Sequence, residues 1–265
     1  MSFSNSVIWI TGASSGIGEA IAIELAKGQN VKLILSARNE EALQQVAERT
    51  TLPASNVLVL PMDMREVRSM NEHVAQVLQQ FNRIDYVFQN AGVTQRSSVV
   101  ETDLAVYQQL MDINFLGAVA LTKAVLPHML TQKSGHFVVT SSVAGKLGTK
   151  QRSGYCASKH ALHGFFDSLR AETYHAGLRV TMACPGYIRT DISMNALDAS
   201  GRKHGKMDEN QLNGIRPEEY AEKLLRAVSQ QKEEVYIGGR EIAGIYLKRF
   251  LPGVLSRLLR NRDAT

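Results

Sequence analysis

The chain is short of cysteine, proline and aromatic residues, and it has no linker rich in proline, glycine and serine, no repeat and no low-complexity tract. Its 2 cysteines, Cys156 and Cys184, have neither a C-x-x-C nor a histidine-paired spacing, so a disulfide scaffold and a zinc or other metal site are excluded. Both read as reduced core thiols. No run approaches the roughly 18 apolar residues of a membrane span. The first strand begins near Ser6, which leaves no room for a cleavable signal segment, and the expectation is a cytoplasmic protein. Acidic balance is missing in one place only. Lys248, Arg249, Arg257, Arg260 and Arg262 account for the net charge of +5, and the rest of the chain sums to zero. A basic stripe for nucleic acid is therefore absent.

What is present is a regular alternation. Val/Ile/Leu-rich runs at 7–10, 31–37, 57–60, 84–90, 135–141, 178–184 and 234–238 read as strands buried on both faces. Helical patterns fall between them, notably at 39–50, 65–81, 103–130, 153–176 and 217–230. The pattern predicts an α/β fold, a Rossmann-type doubly wound parallel sheet of about seven strands in a single domain. Ligands of such sheets bind at the carboxyl ends of the strands, which makes Thr11, Ser36, Asn90, Ser141 and Pro185 candidates for one crevice.

Two stretches carry chemistry. "ITGASSGIGEA" at 10–20 reads as strand, glycine turn and helix start, a place where free N–H groups and a positive dipole end hold an anion. Its glycines, Gly12, Gly16 and Gly18, are spaced G-x-x-x-G-x-G rather than G-x-G-x-x-G. In "GYCASKHALHGFF" at 154–166, Tyr155 and Lys159 lie one helical turn apart on one face. A phenol of pKa about 10 becomes a usable acid or base when a neighbouring cation favours its phenolate.

With "NAG" at 90–92, Asn114 in "MDINFLG", Ser142 thirteen residues before Tyr155, and "PGYIRT" at 185–190, the chain from about residue 6 to 190 resembles the short-chain dehydrogenase/reductase family. The glycine spacing is that family's own. The resemblance implies a catalytic tetrad: Tyr155 as general acid/base, Ser142 on the substrate oxygen, Lys159 on the tyrosine and the nicotinamide ribose, and Asn114 anchoring a proton-relay water. It also implies that the turn cradles a dinucleotide pyrophosphate through Gly12, Ser14, Ser15, Gly16, Ile17 and Gly18. Thr190 would meet the carboxamide, with Pro185, Gly186 and Ile188 beside it. Asn90, Ala91 and Gly92 would line the adenine side. Asp63, with Met64, would meet the adenine ring or else stand as an exposed loop carboxylate. One departure is Gln89, where many relatives carry a second asparagine.

Cofactor choice is read at "LILSARNEE", where Ser36 occupies the place of the carboxylate of NAD-selective sites. Arg38, followed by Asn39, suits a 2′-phosphate, so NADP(H) is expected. The alternative for Arg38 is pairing with Glu40 or Glu41. The 191–215 segment reads as a mobile lid within a 1–240 nucleotide-binding domain, followed by a basic amphipathic extension at 241–265. "NAGVTQRS" and "VLPHML" are most similar to a branch of membrane-associated dehydrogenases/reductases, the member 7-like branch. That favours a hydrophobic carbonyl or alcohol substrate. The tail, where Leu251, Val254, Leu255, Leu258 and Leu259 recur at helical spacing, has two open readings, a helix packed beside the active site or against another subunit, or a peripheral membrane contact. The helices at 103–130 and 153–176 carry spare apolar surface, and the resemblance implies pairing into a homodimer or homotetramer. An NADP(H)-binding redox sensor without turnover is the competing function.

Overall fold

The structure, a computed structural model, describes residues 3–261; Arg262 of the basic tail lies outside the described residues. The seven apolar runs form β1 (Val7–Thr11), β2 (Lys32–Ser36), β3 (Val57–Val59), β4 (Tyr86–Gln89), β5 (Gly135–Thr140), β6 (Leu178–Pro185) and β7 (Glu234–Ile237). They pair in the order β3-β2-β1-β4-β5-β6-β7. Every pair is parallel. Parallel neighbours need long crossovers. These are α1 (Gly16–Ala26), α2 (Glu40–Arg49), α3 (Met70–Phe81), α4 (Leu104–Met111), α5 (Gly117–Gln132), α6 (Ser153–Thr173) and, after a loop holding the short α7 (Glu209–Leu212), α8 (Pro217–Ser229).

Strand side chains alternate between faces. Val7 and Trp9 pack with Val87, Phe137 and Phe166 beneath α3, α5 and α6, whereas Ile8 and Ile10 pack with Phe88, Val138 and Tyr220 beneath α1 and α8. Local sequence fixes the helix starts: Asn39 Oδ1 accepts from Ala42 N at 3.0 Å to cap α2, and α8 opens on Pro217 with Glu218 and Glu219 in its first turn.

Three expectations are corrected. The single helix expected over 103–130 is interrupted by a π turn at Asp112–Leu116. Gly117 there lies against Met64, where a Cβ would stand 2.4 Å from the Met64 carbonyl oxygen. The stretch Leu104–Gln132 is long and apolar enough to cross a membrane by length and composition, contrary to the reading that no such run exists. Ile113, Leu121, Val125 and Met129 bury its apolar face in the protein core. The tail is two helices, α9 (Ala243–Phe250) and α10 (Pro252–Asn261), rather than one. Pro252 has no N–H to continue a helix, and Leu251 before it leaves the helical region at φ −135°, ψ 58°. Ile245 and Leu255 are buried against Val143 and Leu147, which docks the tail on the body of the fold.

Candidate active site

The strands diverge in chain order at β1 and β4, and there, beyond their carboxyl ends, lies a cavity of about 1050 Å³. Thr11, Ser36, Asn90, Ser141 and Pro185 all line it, as their positions at strand ends require.

At one end, Gly12 adopts φ +65°, and a Cβ on it would stand 2.9 Å from Ala91 Cα. Gly18 does not line the cavity; a Cβ there would meet the Gly12 carbonyl oxygen at 2.1 Å, so its role is to let α1 close on the turn. Thr11 Oγ1 accepts from Asn90 N and Ala91 N, each at 3.0 Å, which ties the β1 turn to the end of β4. Ser15 is extended at the start of α1 and no side chain caps the helix, so its first N–H groups face the cavity lined by Ser14, Ser15, Gly16 and Ile17. This donor set fits a pyrophosphate. Arg38, Asn39, Asp63 and Met64 complete the rim. Ser36 is fully buried with its Oγ accepting from the Trp9 indole at 2.9 Å, leaving a neutral floor beneath Arg38. The hydrogen bonds of Arg65 hold the Asp63 carboxyl below its ordinary range, and the Arg38 charge adds to this.

At the other end, α6 presents Tyr155 and Lys159. Burial pushes the Tyr155 phenol pKa up, while a hydrogen bond with Ser142 and the charges of Arg152 and Arg96 pull it back. Lys159 Nζ donates to the Thr140 carbonyl at 2.7 Å and lies 5.8 Å from the Tyr155 ring centre. Burial lowers its pKa to about 8. Asn114 stands behind the cavity wall: its Oδ1 accepts from Val93 N at 2.8 Å, and its Nδ2 donates to the Val93 carbonyl and to Ser158 Oγ, both at 2.9 Å. Gly92 leaves room between them, since a Cβ there would stand 3.1 Å from Asn114 Oδ1 and 3.4 Å from Lys159 Nζ. Gln89 reaches α5, donating to the Ala118 carbonyl and Thr122 Oγ1 at 3.2 Å.

Gly186, Ile188 and Thr190 form the opposite wall, and Glu241 Oε1 fixes that turn by accepting from Tyr187 N and Gly239 N at 2.9 Å. The 191–215 segment is tied to the loop after β4 by Leu197, whose N–H reaches the Thr94 carbonyl and whose carbonyl receives Arg96 N, both at 2.8 Å. Its Ile192, Asn195 and Gln211 line the cavity. Sequence reasoning missed Arg96, Arg152, Asp208 and Glu241, whereas the wall of Leu255, Leu258 and Leu259, joined by Leu147 and Leu247, matches the reading of the tail as a helix packed beside the active site. No spacing signal joins positions so far apart in the chain.

The family model described as short chain dehydrogenase matches residues 6–201. A Drosophila melanogaster protein, dehydrogenase/reductase SDR family protein 7-like, is 38% identical over 261 residues, which is 97% of this chain and 80% of that relative. Dehydrogenase/reductase SDR family member 7B of Bos taurus is 36% identical over 267 residues, covering 97% of this chain and 81% of its own. The crystal structure of levodione reductase superposes with a TM-score of 0.80 at 28% identity, over 91% of this chain and 99% of that one. A short-chain dehydrogenase/reductase from Burkholderia phymatum, solved in complex with NAD, gives 0.83 at 23% identity over 100% and 98%, a likeness of fold.

Proposed function

The chain belongs to the short-chain dehydrogenase/reductase family of oxidoreductases, and on that premise we propose that it interconverts a hydrophobic alcohol with its ketone or aldehyde using NADP(H). The observation that carries this reading is the buried phenol of Tyr155, which shares a cavity with Ser142, with a buried Lys159 one turn away and with an uncapped helix start. When bound, the nicotinamide supplies or accepts the hydride. Tyr155 gives a proton to the substrate oxygen in reduction and takes it in oxidation, and Ser142 donates a hydrogen bond that fixes that oxygen. Lys159 holds the ribose hydroxyls and favours the phenolate. Asn114 acts as a positioning residue through Val93 and Ser158, on the path of the proton relay. Arg38 grips the 2′-phosphate, and the neutral, occupied hydroxyl of Ser36 offers nothing to repel it. Thr190 meets the carboxamide.

The substrate reading rests on the leucines of α9 and α10, which face the catalytic end of the cavity. The outer side of the same helices exposes Tyr246, Phe250, Leu251 and Val254 among Lys248, Arg249, Arg257 and Arg260. That combination suits a reversible contact with an anionic bilayer, delivering lipid-dissolved carbonyls to the cavity. Leu116 and Leu130, exposed at the two ends of α5, lie on the face assigned to a second copy of the chain.

Turnover followed by NADPH absorbance, against ketones, aldehydes and quinones of rising apolarity, tests the main reading. Faster oxidation with the apolar members supports it; tight NADPH binding with no turnover of any member would replace it with the sensor.

A further inference from the structure

β6 and β7 stay paired as far as Pro185 and Ile237, and the next backbone N–H, that of Gly186, still reaches the Ile237 carbonyl at 2.9 Å. There the ladder ends. The N–H of Tyr187 is taken by a side chain instead, Glu241 Oε1 at 2.9 Å, and the same oxygen accepts from Gly239 N at 2.9 Å. A backbone N–H drawn away from water needs such a partner, and a carboxylate is a strong one. Glu241 sits in the turn Arg240–Ile242 between β7 and α9, and it lines the cavity. Three glycines from two segments make room for its carboxylate. A Cβ on Gly186 would overlap Oε1, one on Gly238 would stand 2.6 Å from it, and one on Gly239 would stand 3.0 Å from Oε2. Gly186, expected from the sequence in the cofactor wall, is therefore also part of a socket for a side chain of the tail. The far side of the same turn is anchored independently: the Tyr187 carbonyl accepts from Ile215 N at 3.0 Å, and Arg189 N donates to the Ile215 carbonyl at 2.9 Å. The Gln211 amide donates to the Ile188 carbonyl and to Thr190 Oγ1, and Ile188 is buried in the core.

We propose that Glu241 is a positioning residue for the nicotinamide half of the cofactor: standing in for a β7 carbonyl, it sets where Gly186 and Tyr187 lie in the wall facing the ring and its carboxamide. The inference rests on the reading of this cavity as a nicotinamide dinucleotide site. Its hydrogen bonds reach Tyr187 and Gly239, on the Pro185–Thr190 side, whereas the glycine turn and Arg38 follow β1 and β2. Loss of the carboxylate is therefore felt at one half of the dinucleotide. The contacts to Ile215 and Gln211 keep the far side of the turn in place, so the change at the near side is a shift of the wall rather than its collapse. Glu241 also lies two residues before α9, whose Ile245 docks the tail against Val143 and Leu147. The tail that supplies the apolar wall thus shapes the cofactor site as well.

The test compares Glu241→Ala and Glu241→Gln of the full chain by calorimetric titration with two probes. One is whichever of NADPH and NADH the unaltered protein binds more tightly; the other is ADP-ribose with the same 2′ group, which lacks only the nicotinamide. Glu241→Ala should weaken the dinucleotide roughly tenfold, the size of a lost charge-assisted hydrogen bond, and leave the fragment within about twofold. Glu241→Gln keeps an oxygen that accepts from both N–H groups and should restore most of the affinity. Without any cofactor, amide hydrogen exchange at Tyr187 and Gly239 should quicken severalfold in Glu241→Ala and not in Glu241→Gln. Equal losses for dinucleotide and fragment would mark a residue that merely supports the fold and overturn the proposal, as would unchanged affinity for both, unchanged exchange, or a glutamine variant as weak as the alanine one. If Glu241→Ala does not fold, Glu241→Asp takes its place: it keeps the charge but draws the carboxylate back by one methylene, and the same split between probes is expected. If the unaltered protein binds neither dinucleotide, the cofactor reading falls and takes the proposal with it. Binding that ignores Glu241 overturns the proposal alone.

Discussion

The two ends of the cavity are built by different means. The end assigned to the cofactor is made of backbone: a glycine turn, the uncapped start of α1 and the ends of β1 and β4, all within the first 92 residues. The end assigned to the substrate is made of side chains brought from positions 96, 142, 155, 192 and 255 by five separate segments. Backbone geometry is dictated by neighbouring residues and is hard to vary, whereas a wall of side chains changes with any one of its contributors. The first end suits a ligand common to a whole family, the second a substrate peculiar to one branch of it.

The sharpest separation of the two ends should come from Tyr155→Phe. It removes a proton donor while leaving the buried ring, so turnover should fall roughly a hundredfold or more. NADPH affinity, measured by fluorescence titration, should stay within about twofold. Equal losses in both would mean that the two ends are not independent.

Lys159→Met tests the strain stored at the catalytic end. Burial lowers the Lys159 pKa from 10.5 to about 8, so the folded state holds fewer protons than the unfolded state between those values. The ammonium is charged in both states below pH 8, and there the variant should be more stable by up to about 3 kcal/mol, less whatever the bond to Thr140 returns. Its advantage should shrink as pH rises from about 8 toward 10.5. Denaturant unfolding of both proteins across that range measures it, and a gap that does not move with pH contradicts the burial of a charged lysine.

At the other end, Ser36→Asp with Arg38→Gln should move the ratio of NADPH to NADH dissociation constants by roughly ten- to a hundredfold, the size of a lost charge-assisted phosphate contact. Turnover with saturating cofactor should hardly change. An unaltered ratio would move the 2′-phosphate away from Arg38.

The smallest effect is expected from Leu258→Ala on α10. This leucine lines the cavity but is 48% exposed, so its loss should reduce kcat/KM for an apolar substrate by about three- to tenfold, with NADPH affinity constant. An equal loss with a small polar substrate would show that α10 supports the fold rather than the substrate. The outer face of the tail is tested apart from this, since removing the helices would open the cavity. Phe250→Ser with Leu251→Ser should abolish salt-sensitive sedimentation with anionic vesicles at unchanged kcat.

Much of this was legible in order along the chain. Apolar runs gave all seven strands and the residues ending them, because a parallel sheet buried on both faces demands continuous Val, Ile and Leu. The i, i+4 spacing of Tyr155 and Lys159 put phenol and ammonium on one face of α6, as observed. Less was legible where a side chain acts across the fold. Asn114 and Gly18, both expected in the cavity wall, stand behind it, Gly18 letting α1 close on the turn and Asn114 hydrogen-bonding Val93 and Ser158. The basicity of the tail was plain, yet its inner stripe of leucines has the same periodicity whether it faces lipid or protein.

By itself, then, the sequence determined what depends on neighbours in the chain: strand and helix periods, the glycine turn with its left-handed Gly12 and the cap of α2. Only the tertiary structure decided that Arg96, Arg152 and Asp208 share one buried site, that the Ser36 hydroxyl is taken by Trp9, and that Leu255 roofs the cavity. These contacts join residues far apart in sequence, and whether two such residues meet depends on sheet order and on loop paths. No local spacing encodes either, because the burial that holds such a pair together exists only once every layer of the fold is in place.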